Sequence, residues 1–354
     1  MQQTSKKETH VKSYAKLDAD SIDKTLALYR ARKIMNGWIE FAMSRNVENL
    51  FLNFGFLKCS VSWKSFKKLS LRFCILSDES FAKILSGCPI LESLTLYSCD
   101  ELMVLDLTKS PSLKILEIHL NIWDSGPTHI VAPHIHCLTL TLKNSQLSCT
   151  FIDVSSLTKA KLDICFCALD DLNADFLQDM VLKILEKLQN VDKLTFGQNF
   201  LKILSLAEVR GVPFPMFKAK ALTLETMISE YVIPGILRVL QNSLELKKLT
   251  LHPMDCNTDT IPDKDKDVCK YLRGLNLDHC WIFGNIFHWN VESKHVASFM
   301  ELMLKKTKTL EKMVVRLESY LDGRGFEELL EMVPMLSQNN NVSIDFSSIS
   351  AWLS

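Results

Sequence analysis

The chain has 354 residues, 47% of them apolar, which is enough for the core of one large or two ordinary domains. Its 41 basic residues are matched by 41 acidic ones, so no net charge draws it toward nucleic acid or an anionic membrane. Glycine (11) and proline (10) are too scarce for a disordered chain or a turn-dense β-barrel.

In chain order, residues 1–20 are polar and mixed in charge, with no apolar core for a signal peptide, and read as a disordered lead-in. Residues 21–46 read as a helical cap, with Ile22, Leu26, Tyr29, Ile34, Trp38 and Phe41 near a helical period. A short pattern then recurs: Val47-Glu48-Asn49-Leu50-Phe51-Leu52, Phe66-Lys67-Lys68-Leu69-Ser70-Leu71, Leu91-Glu92-Ser93-Leu94-Thr95-Leu96 and Leu113-Lys114-Ile115-Leu116-Glu117-Ile118. Further copies centre on Leu138 and, with alanine in a leucine position, on Ala160. Leu94, Leu116, Leu138 and Ala160 stand 22 residues apart, inside the range of one leucine-rich coil. Strand-like pieces at 102–107 and 149–154 fall midway through two coils, so those coils are expected to carry extended segments on their outer side.

Downstream, residues 173–190 put Phe176, Leu177, Met180, Val181, Ile184, Leu185 and Leu188 on one stripe of a helix that Asn173 would cap. Residues 79–86 and 234–241 read as shorter helices, the first closed by Gly87. Later strands are expected at Leu194, Leu222, Leu246-Lys247-Lys248-Leu249-Thr250-Leu251 and Tyr271-Leu272-Arg273-Gly274-Leu275-Asn276-Leu277. The polar stretch 253–267 reads as a solvated loop. A tail of helix (294–308), strand (313–317), helix (325–336) and strand (342–346) suits a terminal cap, placing the repeats at 47–290 and the cap at 291–354.

A short strand that cannot bury its inner face alone is stable only when stacked on copies of itself. The fold expected is therefore α/β: a leucine-rich-repeat solenoid, a right-handed superhelix with a parallel concave sheet. Cys74, Cys99 and Cys280 follow the last leucine of a rung by three residues, where such repeats turn a small side chain inward. The 11 cysteines fit no disulfide framework, so unpaired thiols in cytoplasm or nucleus are expected.

No nucleophile elbow, phosphate loop or zinc-protease signature is present, and no cofactor is expected. Cys165-Phe166-Cys167 and His134-Ile135-His136 lack further ligands at zinc spacing and read as packing; Asp170-Asp171 reads as a solvated turn. The chain is accordingly expected to be no enzyme. Alternation puts the residue between two strand leucines, and the one after them, on the concave face. Arg72, Tyr97, His119, Lys161, Asp163, His252 and Asp278 stand there and are the candidate partner-binding residues, since arginine and tyrosine are frequent interface anchors.

Several segments resemble one family. Residues 34–48, with Trp38-Ile39-Glu40-Phe41-Ala42-Met43-Ser44-Arg45-Asn46-Val47, resemble the W-I-x-x-A-x-x-R-x-V stretch that leads into the repeats of plant F-box/leucine-rich-repeat proteins. Gly87-Cys88-Pro89-Ile90-Leu91-Glu92-Ser93-Leu94 and Ser110-Pro111-Ser112-Leu113-Lys114 are similar to that family's recurring repeat units, and residues 304–315 to the FBD element that ends many members. The resemblance implies the substrate-recognition part of an SCF-type ubiquitin ligase, with a protein as partner. Residues 1–33 carry no L-P-D-x-x-L helical block, so a Skp-type adaptor and cullin complex is expected only where an F-box is supplied. The alternative reading is a repeat fragment of an immune or signalling receptor acting as a scaffold.

Overall fold

The computed structural model describes residues 9–10, 49–53, 64–121, 126–143, 149–164, 174–226, 230–252, 292–316, 321 and 323–346, with the backbone alone at 9–10, 49–53, 174 and 230. The chain forms two compact units, residues 1–139 with 147–156, and residues 140–146 with 157–354. Residues 21–46, expected as a helical cap, residues 253–267, expected as a loop, and Cys165, Cys167, Asp170, Asp171 and Cys280 lie outside the described residues.

In the first unit a parallel ladder runs through β1 (Thr9–His10), β2 (Asn49–Asn53), β3 (Lys68–Arg72), β4 (Ser93–Tyr97), β6 (Ile115–Leu120) and the start of β8 (Cys137–Leu142). β1 is a strand within the span read as a disordered lead-in; Thr9 pairs with Leu50. Leu69 is in register with Leu94, and Leu94 with Leu116. Each coil enters its strand in the same way. Lys114 and Ile115 N–H both donate to Glu92 O, and His136 and Cys137 N–H both donate to Lys114 O. That shared step sets Leu138 beside Leu116, and both are buried.

The outer side of the unit changes character along the chain. The first full coil carries α1 (Asp78–Gly87), capped by Ser77, whose Oγ accepts from Ser80 N–H, and closed at Cys88, one residue beyond Gly87. It buries Phe81, Ile84 and Leu85. The next coils replace the helix by strands: β5 (Val104–Asp106), β7 (His129–Val131) and β9 (Thr150–Asp153) form a second parallel sheet. β5 and β9 stand where extended segments are expected; β7 adds a third. Asp78, in the first turn of α1, accepts from Met103 and Val104 N–H at 2.8 and 3.1 Å. Its carboxylate satisfies strand donors that the neighbouring helix cannot.

In the second unit the ladder is β10 (Lys159–Ile164), β11 (Lys193–Gly197), β12 (Ala221–Glu225), β13 (Lys248–His252), β14 (Lys312–Val315) and β15 (Ser343–Phe346). Its outer side is helical: α2 (Ala174–Lys187), α3 (Gln198–Val209), α4 (Ile233–Gln241), α5 (Ser293–Lys306) and α6 (Gly323–Asn340). Ala160 is fully buried in the leucine position of β10 and in register with Leu194. The expected stripe of α2 is buried from Leu177 to Leu188, with Phe176 half-buried.

Past β13 the sequence places a further rung at Leu275. β13 is bonded to β12 on one edge and to β14 on the other, with Leu249 in register with Met313. The ladder thus passes directly from residue 249 to residue 313. Residues 271–277 lie outside the described residues. The tail expected as a cap lengthens the same ladder by two helix-preceded rungs.

Candidate interaction face

Three of the candidate residues of the first unit meet on consecutive rungs. Arg72 is in register with Tyr97, and Tyr97 with His119. The Arg72 guanidinium carbon lies 5.4 Å from the Tyr97 ring centroid, a cation–π contact. The Tyr97 and His119 rings follow at 5.8 Å. A fourth member was not foreseen from the sequence: Phe73 packs edge-on against Tyr97 at 5.3 Å and is 50% exposed. Its φ of 52° is left-handed, as is that of Ser98 (50°) at the equivalent corner of the next coil. A bulky residue in that region is strained, so the corner, and not the preference of phenylalanine, sets the ring on the surface.

The corner has its own internal support. Cys74 and Cys99 are buried; Cys74 Sγ donates to Arg72 O at 3.3 Å, and Cys99 Sγ points to Leu71 O at 3.6 Å. The Cys99 thiol is pushed well up, first by its hydrogen bond with Cys74 and then by burial. Burial alone pushes Cys88 and Cys149 up to about 12. These thiols stay protonated near neutrality and behave as packing atoms. Cys88, Cys99, Cys137 and Cys149 are thiols in no disulfide.

On the second unit the candidates form a charged group. Lys161 Nζ reaches Glu225 Oε2 at 2.6 Å, crossing β11 to do so. Between their strands stands Gly197, and a Cβ there would come within 2.0 Å of Asp163 Oδ1, so the Asp163 carboxylate occupies the space left by the missing side chain. The Asp163 carboxyl is raised above its ordinary value, first by burial and then by the Glu225 charge, against the opposing pull of Lys161, the Ile164 N–H and Lys143. His252 is in register with Glu225, and its carbonyl accepts from Thr226 N–H at 3.2 Å. Asp278 lies outside the described residues. Glu225 and Gly197 were missed, although the leucine spacing that found Tyr97 finds them too when applied to Leu194 and Leu222.

Asp163 gives a pH prediction. The fold favours its protonated form. Below the ordinary value of 3.8 folded and unfolded chains both hold the proton, and nothing is lost. As pH rises through the raised folded value, the unfolded chain has already released its proton and stability falls. Asp163→Asn is therefore expected to melt higher than the wild type at pH 7, with the margin vanishing at about pH 3. A margin equal at both values would assign the effect to packing instead of charge.

His134 is half-buried and His136 exposed; His136 Nδ1 sits 3.1 Å from the His134 carbonyl. Among the described residues no group of three or more His, Cys, Asp or Glu side chains is placed to hold a metal, and no helix is long and apolar enough to cross a membrane.

Parallel strands in register, inward leucines and the buried cysteines at the Cys74 and Cys99 corners define a leucine-rich-repeat protein. The comparisons narrow that class. The repeat model described as FBD-associated F-box protein At5g56370, LRR repeats, matches residues 41–145. In Arabidopsis thaliana, putative F-box protein At1g49610 is 65% identical over 70% of this chain and 74% of its own length. F-box/LRR-repeat protein At3g03360 is 51% identical over 94% of this chain and 80% of its own, and putative F-box/LRR-repeat protein At3g18150 is 50% identical over 93% and 81%. The chain belongs to the plant F-box/LRR-repeat family. Its repeats make up an interaction module of that family.

Proposed function

We propose that the chain is the substrate-recognition part of an SCF-type ubiquitin ligase subunit, holding a protein substrate on the outward face of its strand ladder. The observation that carries this reading is the Arg72–Phe73–Tyr97–His119 cluster. It offers rigid aromatic surface, a cation and a half-exposed imidazole on one contiguous patch, the composition that dominates binding energy at protein interfaces. Family membership supports the ligase context, and the relatives reported carry F-box names, which favours this reading over a receptor fragment.

The test is a fusion of an F-box block to the N-terminus of this chain, reconstituted with a Skp-type adaptor and a cullin. Proteins that crosslink to a photoreactive group near Tyr97 are expected to acquire ubiquitin. The Arg72→Ala/Tyr97→Ala variant is expected to lose crosslinking and ubiquitin transfer by at least about tenfold, the loss typical of one anchor. A fusion that assembles with the adaptor yet leaves those proteins unmodified, or a double variant that still modifies them, overturns the proposal.

A further inference from the structure

The outward face of the second unit is sorted by charge. Its first row, in register from β10 to β14, reads Lys159, Lys193, Ala221, Lys248, Lys312. The second row is mostly threonine, with Thr195, Thr223 and Thr250 following Lys161. The third row begins with the carboxylates Asp163 and Glu225 on either side of Gly197. The lysine row is not a by-product of a basic chain, because formal net charge is zero. Lys312 is paired with Asp345. Lys159, Lys193 and Lys248 are exposed, and among the described residues none has a carboxylate within ion-pair distance.

Like charges set directly opposite each other on neighbouring strands repel, and Lys159 and Lys193 are such a pair. An arrangement that costs stability in the free chain becomes favourable when an anionic ligand lies along it. The row spans four strand steps, about 19 Å at roughly 4.8 Å per step, which is the length of about six extended residues. It is one side chain wide, with the threonine row about 7 Å and the carboxylates of the third row about 13 Å away along the strands. Those carboxylates would repel a broad polyphosphate. Neither arginine forks nor aromatic platforms for stacking bases interleave the lysines of β10–β13, which argues against nucleic acid.

We infer that the lysine row Lys159–Lys193–Lys248–Lys312 is a docking site for an extended acidic peptide segment, rich in Asp and Glu, of the protein substrate. This inference rests on the substrate-recognition reading and names the chemistry of what is recognised. The segment lies across the strands with its carboxylates on the ammonium groups, while the half-buried Thr195 and Thr223 offer hydroxyls to its backbone. The carboxylates beyond disfavour a shift of the segment along the strands toward them.

The test uses the full chain and a fluorescent eight-residue peptide alternating Glu and Ser, read by anisotropy at low and physiological salt. The peptide is expected to bind, and its Gln-for-Glu counterpart to bind at least tenfold more weakly. K159Q/K193Q/K248Q is expected to weaken binding at least tenfold while its unfolding midpoint stays unchanged or rises. K83Q/K183Q/K305Q removes the same charge from exposed helix positions paired with Glu79, Asp179 and Glu301, and is expected to leave binding within twofold. Absence of peptide binding, equal loss in both triple variants, or tighter binding of single-stranded oligothymidylate each overturns the inference. If these arms fail while Arg72→Ala/Tyr97→Ala still abolishes crosslinking to substrate, the lysine row alone is refuted. If that double variant also leaves crosslinking intact, the recognition reading falls with it.

Discussion

Phe196→Ala is expected to destabilise the second unit by about 4 kcal/mol, the range for truncating a buried aromatic side chain. Phe196 takes the second inward position of β11 and is fully buried. Its ring stacks on Phe200 with centroids 5.0 Å apart and planes 9° from parallel. β11 ends at Gly197 and α3 begins at Gln198, so no loop separates strand from helix and the ring pair is the hinge between the layers. Neighbouring backbone fixed in both layers cannot collapse into the void, which puts the cost near the top of its range. Phe196→Leu keeps most of the volume and is expected to cost about 1.5 kcal/mol or less. Denaturant unfolding, with hydrogen exchange of the β11 and α3 amides, measures both. A loss under about 1 kcal/mol for Phe196→Ala would show that the layers are held together elsewhere.

α3 also marks where the sequence stopped being legible. α1 and α2 show an apolar stripe against a polar face, and each is legible in the sequence. α3 buries Gln198, Asn199, Phe200, Leu201, Ile203, Leu204, Ser205 and Ala207, so it has no broad polar face and gives a weak periodic signal. β7 is as short as β5, but β5 lies in the L-x-x-L-x-L match of Leu102, Leu105 and Leu107, and no such spacing surrounds Ile130. Ala160, in contrast, was placed correctly, because spacing constrains a position more firmly than side-chain size does.

The face divides in the same way. Arg72, Tyr97 and His119 were legible because a parallel register turns equal offsets from leucine into contact. Phe73 was not, since its exposure depends on a left-handed corner that no residue preference announces. The Asp163–Gly197–Glu225 arrangement depends on a lysine reaching across two strand steps and on a glycine leaving room between carboxylates. Such relations join three rungs and are invisible to any ruler laid along one.

Gly235→Ala is the second substitution with a large expected cost, about 2–3 kcal/mol net, even though alanine is the better helix former by about 1 kcal/mol. Gly235 lies in the first turn of α4, whose N-cap residue Val232 offers no side-chain acceptor. Its N–H instead donates to Ser205 Oγ on α3 at 2.8 Å, and the same hydroxyl donates to Leu201 O at 3.0 Å. An orphan donor at the start of one helix is thus satisfied by its neighbour. An added Cβ would lie 2.5 Å from Leu201 O and 2.7 Å from Ser205 N, both backbone atoms that no rotamer change can move. The helices must separate, and the buried hydrogen bond is lost as they do. Ser205→Ala alone leaves the Gly235 N–H unpaired and is expected to cost about 1–3 kcal/mol. If one contact underlies both losses, the double variant costs about as much as Gly235→Ala alone, with a coupling of at least about 1 kcal/mol in the cycle. Strict additivity would show that the two helices respond independently, and the proposed bridge through the Ser205 hydroxyl would be wrong.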